Sequence, residues 1–121
     1  MPIDASIDIS ATEALRHDVG DDAFQRLVGI FAQECDRNCR EIRQFLKKQD
    51  LAGSEIVAHR FKSTARQFGA NGLAEVCQQL ESACATGQGD EAHELFDALA
   101  LVTPLILGNL NDATGGALKS G

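Results

Sequence analysis

Three residues near the middle of the chain could do chemistry together: His59, Lys62 and Arg66. On an α-helix this spacing puts all three on one face, with Ser63 among them, inside an arc of about 100°. An imidazole is the side-chain nucleophile and proton carrier suited to neutral pH. A neighbouring ammonium and guanidinium suit an anionic group that arrives and leaves. The window Ser54–Ala70 holds Arg60, Lys62 and Arg66 against Glu55, a local +2 on a chain whose net charge is −7. Val57, Phe61, Ala65 and Phe68 occupy the opposite side of the same helix within about 80°, so that side packs and the His59 side is expected to face solvent.

A hairpin supplies the imidazole with a partner. Gly69-Ala70-Asn71-Gly72 reads as a turn. Leu73, Val76, Cys77, Leu80 and Cys84 then make the apolar stripe of another helix. In an antiparallel pair, residues equidistant from the turn stand at one height. His59 lies eleven residues before Ala70 and Glu81 eleven after it; Lys62 and Gln78 are each eight away. Glu81 sits about 80° from the centre of its stripe, at the boundary where a neighbouring helix is in reach. A carboxylate on imidazole Nδ1–H would fix the tautomer and leave Nε2 as the nucleophile.

The remaining segments must hold this hairpin. Ile3–Ile9 alternates loosely with period two and reads as an extended arm over residues 1–10. Ser10-Ala11-Thr12-Glu13 has the form of a capping box, so a short helix is expected from there to Gly20. Asp21 or Asp22 should cap a second helix, whose stripe runs through Phe24, Leu27, Val28, Phe31, Cys35, Cys39, Ile42, Phe45 and Leu46. No breaker follows Gly29 until Gly53. The third helix is expected over Ser54–Phe68. A fifth carries Leu95, Leu99, Val102 and Ile106, with Pro104 kinking or restarting it. The expected fold is all-α: an antiparallel up-down four-helix bundle over residues 11–111 with a short N-terminal capping helix, and a small, polar, Gly-rich tail over 112–121.

Composition narrows the function. At 121 residues, 44% apolar and 24% charged, the chain fits one globular domain. With 11 Lys+Arg against 18 Asp+Glu it lacks the basic surface that nucleic acid or anionic membrane needs, and the absence of Trp and Tyr weakens any stacking platform. Ala98–Asn111 is uncharged but too short to span a bilayer. Met1–Ser10 is acidic, without the basic region of a secretory signal, so Cys35, Cys39, Cys77 and Cys84 are expected as thiols in the cytoplasm. Four cysteines on two helices could hold a metal, but all continue apolar stripes, and packing is the expected role. His17 and His93 lack company and read as surface residues. A lone helical histidine would read the same way; the register with Lys62 and Glu81 separates His59 from them.

Ala58-His59-Arg60-Phe61-Lys62-Ser63, then Phe68-Gly69-Ala70, Leu73 and Leu80-Glu81, resembles the histidine-containing phosphotransfer (HPt) domain of bacterial two-component phosphorelays, with its pattern A-H-x-L-K-G, G-A, L and L-E. The resemblance implies a four-helix-bundle phosphoryl carrier rather than an enzyme. His59 would be phosphorylated, Lys62 would stabilise the phosphoryl group and Glu81 would hydrogen-bond the imidazole, while Arg60, Ser63, Arg66 and Gln78 would face the partner. It implies no intrinsic cofactor and no metal, Mg²⁺ being supplied at the partner. Partners would be a response regulator receiver domain or a hybrid sensor histidine kinase, with the carrier a monomer unless the arm pairs with another chain. The chain lacks the Gly-rich phosphate loop a kinase would need. Two departures stand out: Ser63 for the usual Gly, where partner access is close, and Phe61 for Leu, a packing change. Ser63 leaves open an alternative, a non-catalytic adaptor of the same fold that binds a receiver or kinase without transfer.

Overall fold

A computed structural model describes residues 4–113. It contains five helices: α1 (Ile9–Val19), α2 (Asp21–Lys47), α3 (Leu51–Gln67), α4 (Asn71–Ala85) and α5 (Gly89–Ala113). No strand occurs among the described residues. α2, α3, α4 and α5 pack in a closed cycle, each on the next and α5 back on α2, while α1 lies against α2 and α3. Paired residues show that α3 runs antiparallel to both neighbours: along α2, Gly53 lies against Phe45, Arg60 meets Asn38 and Phe68 stacks on Phe31, and on α4 His59 and Lys62 meet Glu81 and Gln78.

α2 is the longest element, 27 residues or about 40 Å. Phe24, Val28, Phe31, Cys35, Ile42 and Leu46 are buried along it. Phe31 stacks on Phe68 with ring centroids 4.5 Å apart, which ties α2 to the end of α3. Arg43 lies over the Phe96 ring at 5.4 Å and links α2 to α5 across its charged rim.

Several boundaries differ from expectation. Gly53 does not end α2; it lies inside α3, where the Phe45 ring covers it and an added Cβ would come within 2.6 Å of a ring carbon. The reversal falls at Lys48–Asp50, with Gln49 in the left-handed region at φ 58°. Asp50 caps α3 by accepting from Gly53 N–H at 2.9 Å. α2 itself starts after Gly20 without a side-chain cap, and Asp21 and Asp22 stand in its first turn, where carboxylates favour the helix dipole. α1 is capped by Asp8, which accepts from Ala11 N–H, rather than by Ser10. α5 runs continuously through Pro104 to Ala113, two residues beyond the expected end of the bundle. Pro104 is exposed, so the carbonyl it leaves unbonded one turn earlier can turn toward water. The rest of the expected tail, and residues 1–3 of the expected arm, lie outside the described residues.

The arm is seated rather than free. Asp8 N–H donates to Gly69 O at 2.8 Å, Thr12 Oγ1 donates to Phe68 O at 3.2 Å, and Asn109 Nδ2 donates to Ala5 O at 2.8 Å. The arm thus bridges the α3–α4 turn to α5. Gly69 has φ 75°, and a Cβ there would meet the Asp8 carbonyl oxygen at 2.7 Å. Gly69→Ala is therefore expected to cost about 1–3 kcal/mol, read as a lower denaturant midpoint at unchanged slope.

Candidate functional site

The site is built across the α3–α4 hairpin. Phe61, Ala58 and Ala65 are fully buried on α3, and Leu73, Cys77 and Leu80 on α4. This apolar seam sets the register of the two helices, and the polar residues at its edge follow. His59 Nδ1 lies 2.9 Å from Glu81 Oε2. An ionised carboxylate only accepts, so Nδ1 carries the proton and donates. The His59 side chain is 61% exposed, and Nε2 has no hydrogen-bond partner among the described residues.

Lys62 departs from expectation. It does not face solvent with His59; it is 8% exposed. Its Nζ donates to Gln78 Oε1 at 2.7 Å and to Glu81 Oε1 at 2.8 Å. Removing an ammonium from water is costly without acceptors, and these two supply them. Gln78 Nε2 donates in turn to Ser82 Oγ at 3.3 Å, which fixes the amide orientation. Glu81 therefore uses one oxygen for His59 and the other for Lys62.

These contacts hold the Glu81 carboxyl below the ordinary carboxylate range: the Lys62 hydrogen bond is the largest cause, burial opposes it, and the His59 contact adds to the lowering. The sign follows from linkage. A carboxylate more acidic in the folded state stabilises the fold above its unfolded pKa and loses that contribution as pH falls through the folded value. Wild type is therefore expected to lose more stability than Glu81→Gln on acidification through and below the carboxylate range, measured as melting temperature against pH.

The other expected site residues are dispersed. Arg60 points toward α2, with Nε and Nη2 donating to Asn38 Oδ1 at 3.2 and 2.7 Å and Nη2 also to Glu41 Oε2 at 2.7 Å. Ser63 is exposed, its hydroxyl donating back to His59 O at 3.4 Å. Arg66 is exposed and has no ion-pair partner among the described residues; with Asn71, Ala74, Glu75 and Gln78 it lines a shallow depression beside the hairpin. The local +2 is thus largely neutralised internally: Glu41 answers Arg60 and Glu81 answers Lys62. Arg66 is the cation of that window left for an incoming group.

Two features escaped the sequence reading. Ile56, one turn before His59, is 69% exposed, a large apolar side chain at the rim of the imidazole. Asn38 is buried within the apolar side of α2, and its Nδ2 has no partner among the described residues. A polar residue inside a hydrophobic stripe was the available signal for it. Cys35, Cys77 and Cys84 are buried and Cys39 half-buried, all as free thiols. Burial pushes the Cys35 thiol up to about 12 and the Cys84 thiol up to about 11. Such thiols stay protonated and pack as small hydrophobes. No cluster of His, Cys, Asp or Glu suited to a metal occurs among the described residues.

No described helix is long and apolar enough to cross a membrane. The chain shares its fold with the crystal structure of histidine-containing phosphotransfer protein B (HptB) from Pseudomonas aeruginosa PAO1: the TM-score is 0.85 at 20% identity, over 90% of this chain and 94% of that one. No curated protein matches the sequence. The family model described as Hpt domain matches residues 26–113, which takes in most of α2 and the whole of α3, α4 and α5 with the His59–Glu81 pair between them. The chain belongs to the Hpt domain family.

Proposed function

We propose that this histidine phosphotransfer protein shuttles a phosphoryl group between receiver-domain aspartates, with His59 as the carrier. Neutral His59 Nε2 attacks the phosphorus of a receiver's aspartyl phosphate. The N–P bond forms as the P–O bond to the aspartate breaks, and the aspartate leaves as its carboxylate. The imidazole ring then bears positive charge, shared with the Nδ1–H that faces Glu81; the reverse step regenerates the neutral ring. Phosphoryl transfer depends chiefly on in-line positioning and charge neutralisation. The receiver supplies Mg²⁺, and the bundle supplies an oriented nucleophile as a carrier with no cofactor of its own.

The observation that carries this reading is the 2.9 Å His59 Nδ1–Glu81 contact on an exposed ring whose Nε2 is unpartnered among the described residues. In the same reading Ser63, Arg66 and Gln78 contact the receiver beside the phosphoryl group. Arg60, tied to Asn38 and Glu41, borders the docking face. The bundle is up-down with α1 as its capping helix, supported by the short connections and the antiparallel packing around α3. The protein acts as a monomer in the cytoplasm, with receivers or a hybrid kinase as partners and neither nucleic acid nor membrane among them. The test is to mix the protein with a receiver carrying labelled aspartyl phosphate. The carrier reading predicts label moving onto the bundle as the receiver loses it. An adaptor would bind the receiver and take no label.

A further inference from the structure

We infer that the outer face of α5 is a docking strip for a partner helix that is apolar at its centre and basic at its ends. Spacing defines the strip. Asp90, Glu94, Asp97, Leu101, Leu105 and Gly108 fall within an arc of about 80° on the helix, and Asp112 lies in the same arc one turn on. All of them are exposed. Leu101 is 76% exposed and Leu105 61%, one turn apart, with exposed Pro104 beside them. Gly108 continues the open side: an added Cβ there would meet nothing within 4 Å. Leu99, Val102 and Ile106 turn inward from the same segment and are buried. The core accounts for those three residues and leaves Leu101 and Leu105 without a role in the bundle.

The charge around this apolar centre narrows the partner. α5 carries Asp90, Glu91, Glu94, Asp97 and Asp112 and no Lys or Arg. None of the five has an ion-pair partner among the described residues. Asp90 and Glu91 stand in the first turn, where the helix dipole favours carboxylates. Glu94 and Asp97 lie beyond that turn, and the dipole does not account for them. Asp90, Glu91 and Glu94 also line a shallow depression where α5 begins. A lysine or arginine seated there meets several carboxylates. A second copy of this chain does not fit. Antiparallel strips with Leu101 on Leu105 set Glu94 opposite Asp112, and parallel strips set each carboxylate on its own counterpart, a like-charge contact in both cases. α5 packs on α2 and α4 and stands across the bundle from α3. An occupant of the strip therefore leaves the His59 face open.

The probe is a synthetic helix of about 18 residues, with a leucine pair at four-residue spacing in its centre and lysines in the turns to either side. Titrated into the nitrogen-15-labelled full chain, it is expected to shift the backbone amides of α5 from Glu94 to Asp112 and to leave those of His59, Ser63 and Arg66 unmoved. A strip this short suits a weak contact, with Kd about 100 μM. Leu101→Gln is expected to raise Kd about tenfold, and Asp97→Asn roughly threefold. Both side chains are exposed, so both variants are expected to keep the fold. A peptide with glutamate for lysine is expected not to bind. No shift at about ten times that concentration, equal binding of the glutamate peptide, shifts centred on α3, or a Kd unmoved by Leu101→Gln would each overturn the proposal. So would self-association of the protein that Leu101→Gln abolishes, since that would assign the strip to a second copy.

Discussion

Replacing His59 with Gln is expected to abolish phosphoryl acceptance while leaving the fold and receiver binding in place. The loss is complete because no second group can substitute. His17 and His93 are exposed but have no carboxylate partner among the described residues, and the four thiols are wholly or partly buried and held protonated. The fold survives because the His59 side chain is mostly exposed and packs little. Changes at such positions shift stability by about 0.5 kcal/mol or less. Glu81 keeps Lys62 as its partner, and the glutamine amide can donate to the vacated Oε2. Circular dichroism and calorimetry check the fold, a binding titration with an unphosphorylated receiver checks docking, and the label assay checks transfer. A variant that also stops binding would mean that the imidazole is part of the docking surface.

The second large effect concerns stability. Phe61→Ala is expected to cost about 3–5 kcal/mol, a large share of the total stability of a small domain. Phe61 is fully buried and stands between Arg60 and Lys62 in sequence. Its ring fills the seam that sets the α3–α4 register. Removing it leaves a cavity beneath the site and loosens the height match between His59 and Glu81, so transfer should fall even at temperatures where the variant remains folded. Phe61→Leu keeps a large apolar side chain and restores the residue the family pattern carries there. It is expected to cost under about 1.5 kcal/mol and to leave transfer near wild type. Chemical denaturation of the three proteins measures the costs. Equal midpoints for Phe61→Ala and wild type would mean that the seam does not depend on this ring.

The hairpin was legible because its information is local. Gly69-Ala70 marks a turn, and residues equidistant from it meet: His59 with Glu81, Lys62 with Gln78. The orientation of Lys62 was not legible in the same way. A helical wheel assigns lysine to the solvent side, but this one is at the α4 boundary, four residues after buried Ala58, where two acceptors on the neighbouring helix draw it in. Helix ends were legible where a glycine takes a positive φ, as at Gly20 and Gly69. They were misread at Lys48–Asp50, where Gln49 adopts the left-handed region without the glycine that would announce it. Gly53 and Gly72 looked like breakers; both lie inside helices, at places where Phe45 and the arm residue Asp4 leave no room for a Cβ. Those are tertiary facts. So is the choice of Asp8 over Ser10 as the α1 cap, since the Asp8 backbone is held by Gly69 from the far end of α3.

In the proposed reading His59 Nε2, freed by the proton Glu81 holds on Nδ1, carries the phosphoryl group. Phosphorylating the protein from a receiver, then locating the phosphate by peptide mass spectrometry and assigning the ring nitrogen by phosphorus–nitrogen NMR, tests it most directly. Acid-labile, alkali-stable phosphate is expected on His59, bonded to Nε2. Phosphate bonded to Nδ1, or found on His17, His93 or any residue other than His59, would contradict it.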